Sequence, residues 1–229
     1  MPLTINRCRL TLHDSVYYAT RETGTLYETE HYIHNYALSY ALFNDTIIRV
    51  PYSCTSYKPN YPGDLGKLNN AGIYVTPAKP VVWDYLLVTW KMAQVTHYRR
   101  SERFGGKNYP KNIGRSKELA PGSEFEFFVI SREPIRLPHW IRLGKWMSKA
   151  VLTVEQLDKP TERQGAFVTN CPLNPLDVPN RLLTFDLISM PPVSLVNNAY
   201  MEGAYYELHE GRVCLPIGME YTFPSQKLE

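Results

Sequence analysis

The side chains best placed to do chemistry in this sequence are cations. Arg99, Arg100, Arg103, Lys107, Lys111, Arg115 and Lys117 crowd the stretch from His97 to Lys117, opposed only by Glu102, for a local charge of +6. Arg136, Arg142, Lys145 and Lys149 follow between Pro134 and Val154 with no acid among them, a further +4. Cations grouped in this way attract phosphate backbones and release condensed counterions. The other account is a solvated basic loop, or a patch that meets an acidic protein. In the second cluster, Ile141-Arg-Leu-Gly-Lys-Trp-Met-Ser-Lys149 spaces its cations around Trp146. Cations can hold phosphates while an aromatic ring stacks on an unpaired base. Gly144 would let a backbone approach closely. The competing picture is a half-buried strand with Trp146 in the core and its cations in water.

Other constellations carry less. His97 and Tyr98 adjoin Arg99, and a His, Tyr and Lys group can cleave RNA without metal by acid–base chemistry. Adjacent strand residues point to opposite faces, however, so both could reach one phosphate only across a bend. His31 and His34 are three apart on an expected helix and could share a metal, but no third ligand is obvious nearby. Glu124 and Glu126 share one strand face and are expected to look into solvent. There is no Gly-x-Ser-x-Gly elbow, no Gly-x-x-x-x-Gly-Lys-Ser/Thr loop and no Gly-x-Gly-x-x-Gly. No cofactor and no metal are expected.

Composition sets the frame for these groups. The 229 residues are 44% hydrophobic and 21% charged, enough for an ordinary core. Aromatics at 13% argue against disorder. No run approaches the ~20 apolar residues that span a bilayer, so no membrane partner is expected. Cys8, Cys54, Cys171 and Cys214 lie far apart, which argues against a zinc knuckle or a disulfide scaffold and fits a reducing cytoplasm. The whole chain carries only +3. The two clusters together carry +10, so the remainder carries −7. Tyrosine is abundant at 17 residues.

The elements that must hold these residues are mostly strands. Alternation predicts strands at Ile5–Leu12, Glu124–Ser131 and Leu182–Ser189, and a hairpin of Ala204–Leu208 with Arg212–Ile217 around Glu210-Gly211. Thr25 and Glu28 fit a capping box, with a helix to about Phe43 whose stripe is Ile33, Tyr36, Ala37, Tyr40 and Ala41. Pro51–Gly72 reads as a long loop bearing Tyr52, Tyr57 and Tyr61. Gly72–Val82 reads as short extended pieces. Leu86–Tyr98 reads as one long strand, Arg99–Asn112 as a loop, and Ile113–Leu119 as the returning arm. Together they make a projecting hairpin with a basic tip. Pro138–Lys149 reads as extended with a kink at Gly144, Thr153–Leu157 as a helical turn, and Asn170–Asn180 as a proline-rich loop.

The early strand, "TGTLYETEHYIHNYALSYA", "GIYVTPAKP", "WKMAQVTHYRRS", "GRSKELAPGSEFEFFVIS" and "LPHWIRLGKWMSKA" together resemble the Csc-one family. These are the Cas-five-class subunits of subtype I-D CRISPR surveillance complexes (Cascade). The resemblance covers about residues 5–155. It implies an α+β fold with a ferredoxin-like, RRM-type (RAMP) core and a strand-rich C-terminal part. It further implies one domain over residues 1–229, with a β-hairpin thumb inserted at 86–119. The IRLGKWMSK stretch is similar to the glycine-containing, basic segment by which such proteins hold guide RNA. The implied function is a non-catalytic subunit that caps the 5′ handle of the CRISPR RNA and helps assemble the PAM-proximal end on target DNA. The implied partners are CRISPR RNA, target DNA, the Cas-seven-class backbone subunit and the Cas-ten-like large subunit. RNA contact is then expected from Arg99, Arg100, Arg103, Lys107, Lys111, Arg115 and Lys117 on the thumb, and from Arg142, Lys145, Trp146 and Lys149. An endoribonuclease acting on precursor RNA and a protein-only scaffold are the alternatives. No clear aromatic RNP signature is present, which argues against base stacking on an open sheet.

Overall fold

A computed structural model describes residues 3–50, 59–91, 113–208 and 213–223. Its centre is a strand whose sequence alternates cleanly. Along β1 (Thr4–Leu12), Cys8, Leu10 and Leu12 are buried on one face, while Arg7, Arg9 and Thr11 occupy the other. β8 (Glu124–Ser131) and β10 (Ser148–Gln156) flank it, both antiparallel. Beyond β8 lie β4 (Ile73–Val75) and β5 (Lys79–Val82); beyond β10 lies β9 (Trp140–Leu143). The order is β4-β8-β1-β10-β9, with β5 also on β8. The register sets Leu10 beside Phe125 and Cys8 beside Phe127, so one face is a continuous apolar surface.

Two helices cover that face. The α1 helix (Asn35–Phe43) is shorter than expected and starts at His34, whose Nδ1 accepts from the Tyr36 amide at 3.2 Å. Thr25 and Glu28 cap nothing. They belong to a hairpin of β2 (Arg21–Thr23) and β3 (Leu26–Glu28), and Gly24 turns it at φ 62°. A capping box and a tight hairpin both call for small polar residues, and here pairing with a neighbouring sheet decides. A five-residue π turn, Asn44–Ile48, ends α1. The α2 helix (Tyr61–Asn70) lies where a loop was expected. Its Pro62, Gly63 and Gly66 are poor helix formers. Proline is tolerated in a first turn, however, Asn60 accepts from the Gly63 amide, and Leu65 and Leu68 are fully buried. Tyr52 and Tyr57 lie outside the described residues.

Among the described residues, Tyr36, Tyr74 and Tyr221 are core tyrosines. Tyr221 reaches in from the C-terminal segment between Tyr36 (6.1 Å) and Tyr74 (5.0 Å), and Tyr61 packs on Tyr36 at 4.9 Å. The hydroxyls are satisfied internally. Tyr221 Oη pairs with Ser39 Oγ (2.6 Å) and accepts from the Val75 amide (3.1 Å). Asp177 accepts from Tyr74 Oη (3.0 Å), Asn35 Nδ2 (2.9 Å) and the Thr222 amide (3.0 Å). Burial nevertheless outweighs these donors and lifts the Asp177 carboxyl to about 6.

The opposite face of the central sheet is divided. At the Ile5–Phe128 end it packs on a second core with Phe167, Leu173, Val196 and Met201. That core belongs to a sheet of β11 (Thr161–Val168), β12 (Arg181–Ile188), β13 (Leu195–Leu208) and β14 (Val213–Pro216), in the order β11-β13-β12 with β14 also on β13. At the other end the face is open. Glu126 is not in solvent as expected. It is only 5% exposed and pairs with Arg7 (2.6 Å) and Lys79 (3.1 Å). Burial would raise its pKa, but these two cations outweigh it and the net shift is downward. Thr153–Leu157 is not a helical turn, because β10 runs on to Gln156 to pair with β1.

The third sheet, β2-β3-β7-β6, holds the hairpin stem. The arms β6 (Tyr85–Lys91) and β7 (Ile113–Leu119) pair antiparallel, and β3 lies parallel to β7. An isolated bridge from Val16 to Leu119 ties the stem to the centre. Residues 92–112, with the expected loop Arg99–Asn112, lie outside the described residues.

Candidate nucleic-acid interface

β9 and β10 form a hairpin whose four-residue turn is Gly144–Met147, since Leu143 pairs with Ser148. This replaces the single kinked strand expected from the sequence. The turn is possible because Gly144 has φ 72°. A Cβ at that position would lie 2.8 Å from the Tyr17 carbonyl oxygen. The backbone that approaches Gly144 is therefore the protein's own, and the Lys145 amide donates to the Tyr17 carbonyl at 2.8 Å. The contact seats the turn against the loop after β1 and throws Lys145 and Trp146 outward.

Trp146 is not a core residue. It stays 55% exposed while stacking on Tyr17 at 5.3 Å and 23°. It meets Trp90 of the stem edge-on at 6.5 Å. Trp90 in turn stacks on Tyr27 at 5.8 Å. The turn and the stem thus share one aromatic cluster. Lys145 Nζ lies 5.6 Å from the Tyr17 ring centre.

The open sheet face carries a second ring that the sequence analysis passed over. Trp140 is 51% exposed. The Arg142 guanidinium lies 5.6 Å from its ring centre, and Lys149 Nζ lies 5.8 Å from it. The register explains the grouping, with Arg142 opposite Lys149 and Trp140 opposite Val151 on one face. The signal was present in Trp140-Ile-Arg-Leu143, where strict alternation puts Trp140 and Arg142 on the same side. Arg9, also exposed, extends this face along β1. Among the described residues, Arg142, Lys145 and Lys149 have no acidic partner within ion-pairing distance. Cations next to exposed rings, with no carboxylate holding them, form a surface that offers both charge and stacking.

The stem cations differ. Arg115 is exposed, but Lys117 is half-buried, 4.0 Å from Glu28 and 4.0 Å from the Tyr85 ring centre. Arg99, Arg100, Arg103, Lys107 and Lys111 lie outside the described residues, as do His97 and Tyr98. The structure brings Arg142, Lys145, Trp146 and Lys149 together and leaves Arg115 and Lys117 on a separate strand.

The histidine pair makes no shared site. His34 is buried, with Nδ1 accepting from Tyr36 and Nε2 donating to the Val193 carbonyl at 3.1 Å, and burial lowers its pKa to about 4. His31 precedes the helix, stacks on Trp83 at 5.1 Å and lies 2.6 Å from Glu30. Among the described residues, no group of three or more His, Cys, Asp or Glu is placed to hold a metal, and no helix is long and apolar enough to cross a membrane.

A family model described as Type I-D CRISPR-associated protein Cas5/Csc1 matches residues 3–224. The chain belongs to this family. Cas5/Csc1 membership makes its role CRISPR-associated, and the match runs through every described sheet. No curated protein matches. Among solved structures, this Cas5/Csc1 chain is similar to one in a type III-B Cmr-beta complex bound to cognate target RNA and AMPPnP, at 8% identity and a TM-score of 0.47 over 86% of each chain. It is also similar to a CRISPR protein from Archaeoglobus fulgidus, at 9% identity and a TM-score of 0.44 over 93% of this chain and 99% of that one.

Proposed function

We propose that this Cas5/Csc1 protein is a non-catalytic subunit of a type I-D effector complex that holds the 5′ handle of CRISPR RNA on the β9–β10 hairpin. In that place it would stand beside the Cas-seven-class and Cas-ten-like subunits at the PAM-proximal end of target DNA. The observation that carries the proposal is the grouping of Arg142, Lys145 and Lys149, free of acidic partners among the described residues, around the exposed Trp140 and Trp146. Phosphates would lie along the cations and unstacked bases on the rings. The strand order supports a ferredoxin-like, RAMP-type core. Taken in chain order, β1, β4, β8 and β10 occupy the sequence 2-3-1-4 across an antiparallel sheet, which is the order of a split βαβ unit. In this reading the β9 hairpin replaces the second crossover helix, and residues 86–119 form a thumb within a single domain. Arg99, Arg100, Arg103, Lys107, Lys111, Arg115 and Lys117 would add contacts to RNA, target DNA or neighbouring subunits from the thumb.

The test is capture of guide RNA at several salt concentrations. Reversing Arg142, Lys145 and Lys149 to Glu together is expected to weaken capture and to flatten the log–log salt slope by about 2, at ~0.7 per neutralised phosphate on single strands. Trp140→Ala is expected to weaken capture by about 1–3 kcal/mol with the salt slope unchanged. Unchanged capture and slope in the triple variant would refute the assignment. Specific cleavage of repeat RNA by the purified protein in EDTA would refute its non-catalytic part.

A further inference from the structure

Between the hairpin stem and the β9–β10 turn lies an open recess of about 410 Å³ lined by Asp14, Ser15, Trp90, Glu118, Arg142 and Trp146, among others. Its unusual member is Glu118, a carboxylate only 4% exposed. Ser15 Oγ donates to one of its oxygens at 2.6 Å and Ser116 Oγ to the other at 2.5 Å. Trp90 Nε1 donates to Ser116 Oγ at 3.0 Å, which directs the Ser116 proton to Glu118. An ionised carboxylate offers about four acceptor directions, so each oxygen keeps one unspent. Among the described residues, no cation lies within ion-pairing distance of Glu118 or of Asp14. Arg142 lines the recess but is directed elsewhere, its Nη1 donating to the Met147 carbonyl at 2.9 Å and its guanidinium lying toward Trp140. Buried carboxylates are ordinarily paired. This one is held in place by two hydroxyls and, among the described residues, has no counter-ion.

The walls indicate what kind of counter-ion fits. Trp90 and Trp146 meet at 86°, and each is fixed from behind, Trp90 by Tyr27 and Trp146 by Tyr17. Rigid indole faces beside a carboxylate suit a planar cation, which can stack on a ring and bond a carboxylate through its N–H fork. An ammonium gains the charge but not the stacking. We propose that this recess receives the guanidinium of an arginine from a neighbouring protein chain, stacked on Trp146 and bonded to Glu118. The proposal shares Trp146 with the RNA surface proposed above but rests on Glu118, which that surface does not use.

The test uses the full chain and agmatine, an alkylguanidinium that also carries a terminal ammonium, as the probe. The indole N–H signals of Trp83, Trp90, Trp140 and Trp146 serve as reporters in a two-dimensional NMR titration. The expected result is a saturable shift of the Trp90 and Trp146 signals, with Trp83 and Trp140 unmoved. Butylurea, a neutral planar analogue, and cadaverine, a diammonium of the same charge as agmatine, are each expected to bind at least about fivefold more weakly. Glu118→Gln is expected to weaken agmatine at least about tenfold. Equal binding of butylurea in the wild-type protein would overturn the proposal even if the Gln variant failed to fold. A saturable shift of the same two signals by cytidine monophosphate but not by agmatine would overturn it in favour of a nucleobase. No saturable shift by any probe would overturn it outright.

Discussion

Around Tyr221, the rings of Tyr36 and Tyr74 close on hydroxyls that bond Ser39, Val75 and Asp177, all inside the core. Around Trp146, the rings of Tyr17, Trp90 and Tyr27 pack as closely, yet Trp146 faces out, and among the described residues neither Lys145 nor Glu118 beside it has a partner of opposite charge. Both clusters are aromatic and both join segments distant in sequence. They differ in where their polar atoms find partners. The tyrosine cluster turns the hydroxyls of Tyr74 and Tyr221 inward on other core groups and so contributes to stability. The tryptophan cluster uses its ring contacts to fix position and leaves its charged rim unspent, which is the arrangement a binding surface requires.

The contrast is sharpest in a pair of truncations. Tyr221→Ala should cost about 3–5 kcal/mol, the range for loss of a buried large aromatic side chain. Trp146→Ala should cost under about 1 kcal/mol despite removing a larger ring. Urea denaturation of both variants checks this, and equal losses would erase the distinction between the clusters.

A second expectation concerns pH. Asp177 is raised to about 6 in the fold, so between about pH 4 and 6 the native state binds more protons than the unfolded one, and stability falls as pH rises. His34 is lowered to about 4, so between about pH 4 and 6.5 the unfolded state binds more protons, and stability rises with pH. At ~1.4 kcal/mol per pKa unit, each amounts to about 3 kcal/mol with opposite sign. The two should largely cancel in the wild-type protein. Asp177→Asn should therefore uncover a stability that climbs from pH 4 to 6.5, and His34→Asn one that declines. A wild-type profile retained in both variants would show that neither group titrates as described.

An effect smaller than the loss of Tyr221 is expected between the clusters, at Gly144. A Cβ there meets the Tyr17 carbonyl, and φ 72° is unfavourable for any side chain. Gly144→Ala should cost at least the ~1–2 kcal/mol of the left-handed conformation and loosen the Tyr17–Trp146 stack, which near-ultraviolet circular dichroism would report. A variant that kept both signals would show that the turn does not depend on this glycine.

What the sequence made legible follows from how each element is held. β1 alternates from Cys8 to Leu12 because one face is buried there, β8 alternates only over residues 124–127 and is buried on both faces beyond, and the stem arms pair as their patterns suggest. The α2 helix was hidden because a cap and two leucines outweigh Pro62, Gly63 and Gly66. β11 was missed because it is mostly exposed and carries little periodicity. Glu124 and Glu126 look alike in sequence. Only the approach of Arg7 and Lys79 distinguishes the buried one. The cations of the candidate site were visible as composition, whereas the contribution of Trp140 and Glu118 depends on register and on a neighbouring strand. Both are long-range facts that local pattern does not carry.

The tyrosine network also bears on time. It joins Ser39 to Tyr221 across 182 positions, Asn35 to Asp177 across 142, and Asn69 to Tyr221 across 152. Closing loops of that length costs entropy before any contact repays it. We predict that the network forms late in assembly, as the pairing of β1 with β10 must also do, since Leu10 and Leu152 lie 142 positions apart. A lesion there would register in the unfolding arm of a chevron rather than the folding arm. In that sense the tyrosines set how long the native protein lasts, more than how quickly it forms.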